Sequence, residues 1–171
     1  MRSKMAMLWA KTGEKGNSPD IAKIYRLFFL FVEPLSALVG AYYAYFQPQT
    51  YLDLTHQSSS PKLGIPKSTQ IVLGQLANLY LLFALNESLI LRATSNIRIW
   101  RTLLACLLIA DVGHLLTVKS LGIGIYWNVM SWNAIDCGNV GFVYLGATMR
   151  VSFLAGFGVR DPSNPQASRR P

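Results

Sequence analysis

The sequence TLLACLLIADVGHLLTVKSL, Thr102 to Leu121, decides the fold class of this chain. It is an apolar run long enough for an α-helix to cross a bilayer. Asp111 and His114 lie in its middle, three residues apart, and therefore share one face of a helix. Its strongly apolar residues favour insertion by about 5 kcal/mol, whereas a central Asp opposes it by about 3 kcal/mol. The segment is therefore predicted to insert, with Asp111 sheltered from lipid by another helix.

The composition of the whole chain also indicates a membrane protein. Of its 171 residues, 51% are hydrophobic and 14% are charged, whereas soluble domains carry about 25% charged residues. The net charge of +8 comes from basic residues that flank apolar runs. This distribution argues against nucleic-acid binding and predicts the lipid bilayer as the partner. Two cysteines and two histidines, scattered along the chain, predict neither a zinc site nor a disulfide; no metal or cofactor is expected.

Four apolar runs predict an all-α fold, a polytopic membrane protein with a four-helix transmembrane bundle. The predicted spans are 27–46, 71–91, 102–121 and 134–158. The basic segment 1–26 and the polar tail 159–171 are predicted to be disordered. Most of the Lys and Arg residues lie in the two ends of the chain and in the second loop. The positive-inside rule then places both termini in the cytosol, and we expect the endoplasmic reticulum or another endomembrane.

The first two spans each carry an acidic residue. Glu33 shares a stripe with small residues that let another helix approach closely. Pro34 should release a backbone carbonyl, which Glu33 could cap unless it bridges to a neighbouring helix. In the second span Asn78 is assigned to the packing face, and Glu87 points about 180° away from it. Glu87 is therefore expected to snorkel or to pair with Arg92.

Polar residues are predicted at two levels of the membrane. Nearer the cytosol are Glu33, Asn86 and Glu87; from mid-membrane toward the lumen are Asn78, Asp111, His114, Asp136 and Asn139. The second level is the sharper hypothesis for a site. Intramembrane ionisable residues usually face a cavity or the interior of a bundle and often mark function. A buried carboxyl group favours its protonated form, which can donate a proton. The catalytic candidates are Asp111, His114, Glu33 and Asp136; the ligand-binding candidates are Asn78, Asn139, Trp132 and Tyr144, the two aromatic rings being able to face a cation.

Each of these residues also has a structural interpretation. Asp111 and His114 can serve as hydrogen-bonding links between helices. Asp136 lies near a membrane interface, where it can be solvated or cap the start of the fourth helix. The glycines and aromatic residues of the fourth span are also typical of simple packing. The residue pattern is thus not specific for one reaction.

Four segments carry a resemblance to a known family: YRLFFLFVEPLSALVGAYYAYFQPQTYLDLTH, QLANLYLLFALNE, RIWRTLLACLLIADVGHL and WNAIDCGNVGFVYLGATMR. Together they resemble a family of small four-span membrane proteins of filamentous fungi, catalogued as a domain of unknown function. The resemblance covers about residues 25–156 and includes Glu33-Pro34, Asn86-Glu87, Asp111, His114 and Asp136. That family often has Trp where this chain has Cys137, so the resemblance implies no cysteine chemistry. In architecture alone the chain is similar to the emopamil-binding and sigma-2 receptor group and to fungal membrane terpene cyclases.

Two functions from different classes fit these observations. The first is an intramembrane site for a small apolar ligand, namely a sterol, terpenoid or lipid-like molecule. If that site is catalytic, an acid-catalysed isomerase or cyclase is expected, with Asp111 as the proton donor. The second is a non-enzymatic scaffold or accessory protein of a biosynthetic complex, which binds membrane or cytosolic protein partners through its basic ends.

Overall fold

The computed structural model of the protein describes residues 20–160. The disorder predicted for 1–19 and 161–171 therefore falls outside the described residues. Most of the described chain is helical. The helices are α1 (Lys23–Phe46), α2 (Pro48–His56), α3 (Lys67–Ala93), α4 (Ile97–Leu121) and α5 (residues 134–154). Short 3₁₀ turns at Gln57–Ser59, Ile123–Tyr126 and Val129–Ser131 lie in the connections.

Three of these helices, α1, α3 and α4, are long enough and apolar enough to cross a membrane. Their outward faces carry large apolar side chains, such as Leu35 at 63% exposure and Ile109 at 74%. Soluble proteins rarely expose contiguous apolar surface on this scale, because water solvates it poorly. The described part of the chain therefore has the surface of a helical membrane protein. Helix α5 lies outside this set of three and carries Asp136 and Arg150 near its two ends.

A short β-ladder joins the two ends of the described chain. Strand β1 (Asp20–Ile21) pairs antiparallel with strand β2 (Val159–Arg160). The next N–H, that of Ala22, donates to the carbonyl of Gly158 at 2.9 Å. Residues 20–26 and 159–160, predicted to be disordered, are therefore ordered. The reason is that the two segments satisfy each other's backbone groups and bury Ile21 and Val159 in the core.

The hydrophobic core lies at this same end of the bundle. The ring of Phe153 in α5 stacks on Trp100 of α4, with centroids 5.8 Å apart. Tyr25 of α1 meets the same ring edge-on at 5.2 Å. Leu91 of α3 completes the cluster and is almost fully buried. Aromatic packing thus holds the ends of α1, α4 and α5 together, and Leu91 adds the end of α3.

Along the bundle the long helices pack in two pairs, α1 with α3 and α4 with α5. In the first pair Gly40 faces Tyr80, whose ring lies 3.3 Å from where a Cβ on Gly40 would be. Ala44 on α1 and Ala77 on α3 are buried. Small residues therefore let α1 and α3 approach closely, because Gly40 leaves room for the Tyr80 ring and the two alanines add little bulk.

Helix α1 contains a π-helical turn, Phe28–Val32, just before Pro34. The regular donor for the Leu30 carbonyl would be the N–H of residue 34, and proline has none. Arg92 of α3 supplies the donor instead: its Nη2 lies 3.3 Å from the Leu30 oxygen. The released carbonyl is therefore capped by Arg92 rather than by Glu33.

Candidate functional site

Four charged side chains, one from each long helix, meet in the middle of the bundle. Arg150 of α5 donates from Nη1 to Asp111 Oδ2 on α4 at 2.7 Å. Its Nη2 donates to Glu87 Oε1 on α3 at 3.1 Å and also to Glu33 Oε1 on α1. Arg150 is 2% exposed and Glu87 is 1% exposed. We refer to Glu33, Glu87, Asp111 and Arg150 as the ion cluster.

The ion cluster is unbalanced in charge. Three carboxylates and one guanidinium sum to a formal charge of −2 when all four groups are ionised. Removing charges from water is costly unless they are paired and hydrogen-bonded. Yet Glu33 Oε2, Glu87 Oε2 and Arg150 Nε are buried without a hydrogen-bond partner among the described residues. Two acceptors and one donor of the ion cluster are therefore uncommitted.

A cavity of about 350 Å³ lies beside the ion cluster, where the two helix pairs face each other. This volume falls in the range of small-molecule pockets, about 300–1,000 Å³. Its walls are mostly apolar, with contributions from Ala37 on α1, Phe83 on α3, Leu107 on α4 and Val143 on α5. Glu33, Glu87, Asp111 and Arg150 all line it. The cavity is thus an apolar chamber with one charged end.

Tyrosines and helix α2 form the other end of the cavity. Tyr43, Tyr51 and Tyr80 line it, and the hydroxyl oxygens of Tyr51 and Tyr80 lie 3.1 Å apart. Burial raises the pKa of the Tyr51 hydroxyl, so it is neutral at physiological pH. Asn133 Nδ2 donates to the Leu54 carbonyl at 2.7 Å, which attaches α2 to the segment that precedes α5. The cavity therefore has hydroxyl groups at the end opposite its charges.

Four of the eight predicted site residues line this cavity: Asp111, His114, Glu33 and Asn139. Asp111 is hydrogen-bonded to Arg150, and no bond between Asp111 and His114 is present in the described structure. His114 Nε2 is buried and has no partner within residues 20–160. The acid and the imidazole therefore line one cavity without a direct hydrogen bond between them.

Asn78 lies outside the cavity, in contrast to its predicted place on the packing face. The face of α3 that turns inward carries Leu73, Ala77, Ala84 and Glu87. Asn78 follows Ala77 by one residue, which is about 100° around the helix, and it is exposed. Asn78 and Glu87 lie on opposite faces of α3, as predicted, but Glu87 is the residue that faces the interior of the bundle. The reason is that the small residue Ala77, rather than Gly74 and Asn78, allows the close approach of α1.

The other three predicted site residues have local structural contacts. Asp136 Oδ2 accepts from the Asn133 N–H at 3.0 Å, and Asn133 Oδ1 accepts from the Asp136 N–H, so the pair forms a capping box at the start of α5. Trp132 Nε1 donates to the Ile125 carbonyl at 2.8 Å, and its ring covers Gly141. The Tyr144 hydroxyl donates to the Tyr126 carbonyl at 3.2 Å. These three side chains therefore stabilise the connection between α4 and α5.

The structure places two residues of the ion cluster, Glu87 and Arg150, differently from the sequence-based predictions. Glu87 was expected to snorkel or to pair with Arg92, but it is buried against Arg150. Arg150 was counted among the basic residues that flank the membrane. A signal for it does exist: a basic residue well inside a predicted span needs an acidic partner, and three spans carry acids. The long side chain of Arg150 joins the two polar levels, because it bonds to Glu33 and Glu87 as well as to Asp111.

Within residues 20–160, no three His, Cys, Asp or Glu side chains are arranged to hold a metal ion.

The chain is a helical membrane protein with a buried ion cluster beside an apolar cavity. Residues 19–160 match the family described as "Domain of unknown function (DUF7704)", and the chain belongs to that family. Neither a curated protein nor a solved structure matches the chain significantly. The predicted family of unknown function is confirmed, and its description gives no molecular activity.

Proposed function

We propose that the protein binds a small apolar ligand, a sterol, terpenoid or lipid-like molecule, within the membrane. The observation that carries this proposal is the cavity of about 350 Å³ with apolar walls, one charged end and one hydroxyl-bearing end. Pockets for small molecules are usually lined by apolar side chains, with a few polar groups that orient the ligand. A bilayer also concentrates apolar molecules around the helices, so the ligand need not cross water to reach the site.

The proposed architecture is a four-span bundle with cytosolic termini in an endomembrane. Residues 134–154 extend about 30 Å at a rise of ~1.5 Å per residue, which is enough for a fourth span. The β1–β2 pairing supports this number, because the start of α1 and the end of α5 lie side by side. An odd number of crossings would separate these ends by the thickness of the bilayer. The positive-inside bias supports the cytosolic side for both.

Catalysis by the same site is a more specific version of the proposal. Asp111 and His114 line the cavity together, and His114 Nε2 has no partner among the described residues. In an acid-catalysed isomerase or cyclase, Asp111 would donate a proton, His114 would relay it, and Glu33 would accept one. Asp136, also a candidate acceptor on sequence grounds, caps α5 and does not line this cavity. Asp111→Asn should then abolish turnover in a protein that still inserts, and retained turnover would refute the role.

The ligand proposal is tested by filling the cavity. Ala37 lines the cavity, so Ala37→Leu places extra methyl groups inside it. The matched control is Cys106→Leu, which adds comparable bulk at an exposed position of α4. The protein and both variants are purified in lipid nanodiscs from the same host, and their apolar extracts are compared by mass spectrometry. A molecule enriched with the unmodified protein and with Cys106→Leu, but lost with Ala37→Leu, supports a ligand site.

An extract that is the same for all three proteins contradicts the ligand proposal. The scaffold alternative predicts a different outcome: deleting residues 1–20 and the segment after Arg160 abolishes partner binding, while Ala37→Leu has no effect. Apart from Asp20, those segments lie outside the described residues, whereas the residues that line the cavity lie within them, so the described structure supports the ligand site. The fungal origin and the likeness to the emopamil-binding and terpene cyclase groups stay sequence-based predictions.

A further inference from the structure

The charges around the cavity restrict which ligands it can hold; this inference rests on the proposed ligand function. Arg150 is the cation that faces three acids, and its two terminal nitrogens are already committed to Glu33, Glu87 and Asp111. An anionic headgroup at this end would meet three carboxyl groups in a medium of low dielectric constant. Like charges at such distances repel strongly, because water does not screen them. Fatty acids and phosphate-headed lipids are therefore disfavoured.

The atoms of the ion cluster that lack a hydrogen-bond partner indicate which chemical group a ligand should supply. Glu87 is 1% exposed and lines the cavity, yet its Oε2 has no hydrogen-bond partner among the described residues. Glu33 Oε2 also lacks a partner among the described residues, and its side chain lines the same cavity. Both Oε1 atoms accept from one nitrogen, Arg150 Nη2, so the two carboxyl groups are neighbours. An ionised carboxylate only accepts hydrogen bonds, so in the charged state these oxygens call for a donor.

We propose that the cavity holds an amphiphile with a protonated amine at one end and an apolar body. Its N–H groups donate to the carboxyl group of Glu33, whose side chain is 14% exposed and lines the cavity, and its positive charge reduces the formal charge of −2 on the ion cluster. The apolar body extends along Ala37 and Leu107 toward Tyr51 and Tyr80. Glu33 and Tyr43, at the two ends of the chamber on α1, are ten residues apart, which is about 15 Å of helix. A chain or fused-ring body of that length would fit lengthwise.

Matched probes separate charge from hydrogen-bond donation. Decylamine, decan-1-ol, decanoate and decyltrimethylammonium share one chain and differ in the headgroup. Binding of radiolabelled decylamine to proteoliposomes is measured at pH 7, with each unlabelled probe as competitor. Proteoliposomes with the Ala37→Leu variant provide the background for partition into lipid. Decan-1-ol can donate one hydrogen bond to a carboxylate, but only decylamine adds the attraction of an opposite charge. Decylamine should therefore compete about tenfold better than decan-1-ol, which corresponds to roughly 1.4 kcal/mol.

The expected order is decylamine first, then decyltrimethylammonium and decan-1-ol, with no competition by decanoate. Glu33→Gln should weaken decylamine binding and leave that of decan-1-ol unchanged. If Glu33→Gln does not fold, the order in which the probes compete for the unmodified protein still tests the amine proposal. Decan-1-ol or decanoate competing as well as decylamine overturns the amine proposal but leaves a ligand site. If radiolabelled decylamine binds the unmodified protein no better than the Ala37→Leu variant, and no probe competes, the ligand site itself is overturned.

Discussion

Arg150 occupies the space that a side chain on Gly146 would need. A Cβ at position 146 would lie 2.7 Å from Arg150 Nη1 and 3.3 Å from Glu33 Oε1. Long side chains on a helix point back toward its N-terminus, over the preceding turn. Arg150 therefore reaches across Gly146, away from its own end of α5 and toward Asp111. The glycine makes the ion cluster possible.

Gly146→Ala should displace the guanidinium and destabilise the protein by about 1–3 kcal/mol, the usual cost of overpacking. The free energy of unfolding in mixed micelles, titrated with SDS, measures this loss. Gly113→Ala on α4 is the control, because a Cβ there meets nothing within 4 Å. The control should be neutral or slightly stabilising, since alanine favours a helix more than glycine. Equal effects of the two substitutions would contradict the close fit at position 146.

Arg150→Met should destabilise the protein by about 3–5 kcal/mol, because it leaves buried carboxyl groups without their cation. Asp111→Asn alone should also destabilise, since Arg150 Nη1 then loses its charged acceptor. In the Arg150→Met background the same Asp111→Asn change should cost nothing or restore stability. The measurement is a double-mutant cycle of unfolding free energies. Additive losses would show that the two residues do not act on each other.

Arg92→Gln should cost about 1 kcal/mol, because the shorter glutamine side chain withdraws the donor from the Leu30 carbonyl. Pro34→Ala introduces an N–H at the position from which a regular helix would serve that carbonyl. In the Pro34→Ala background, Arg92→Gln should therefore cost clearly less. Unfolding free energies of the four proteins test this coupling. The same cost in both backgrounds would mean that Arg92 acts through some other contact, such as its position over the Phe31 ring.

Stability should fall at alkaline pH through Tyr51. Burial raises the pKa of this hydroxyl in the folded protein above its ordinary value near 10. Above about pH 10 the unfolded chain loses the proton while the folded protein keeps it, so each rise in pH then favours unfolding. Below that pH the contribution is fully present. Tyr51→Phe should show a shallower loss between pH 9 and 11, about the ordinary tyrosine pKa, than the control Tyr42→Phe, whose ring is exposed on α1. If stability falls equally with pH in the two variants, the prediction for Tyr51 is contradicted.

Much of the helical framework could be predicted from the sequence, because the length and apolarity of a run depend on the run alone. Helices α1, α3 and α4 begin at Lys23, Lys67 and Ile97, ahead of the predicted spans. The close packing of α1 followed from its small residues, and Pro34 does release a carbonyl. The orientation of α3 could not be predicted in this way. Both of its faces carry small and polar residues, so only contact with α1 selects Ala77 and Glu87 over Asn78.

That lipid is the solvent of this protein, and that its intramembrane acids need shelter, could be predicted from local segments, because both follow from their transfer cost. The role of Arg150 in providing that shelter follows from the packing of the helices. Its partners Asp111, Glu87 and Glu33 lie 39, 63 and 117 residues away along the chain. No local pattern encodes such distances, since they depend on how four helices rotate and pack together. The same packing left the cavity beside them, in which half of the predicted site residues meet.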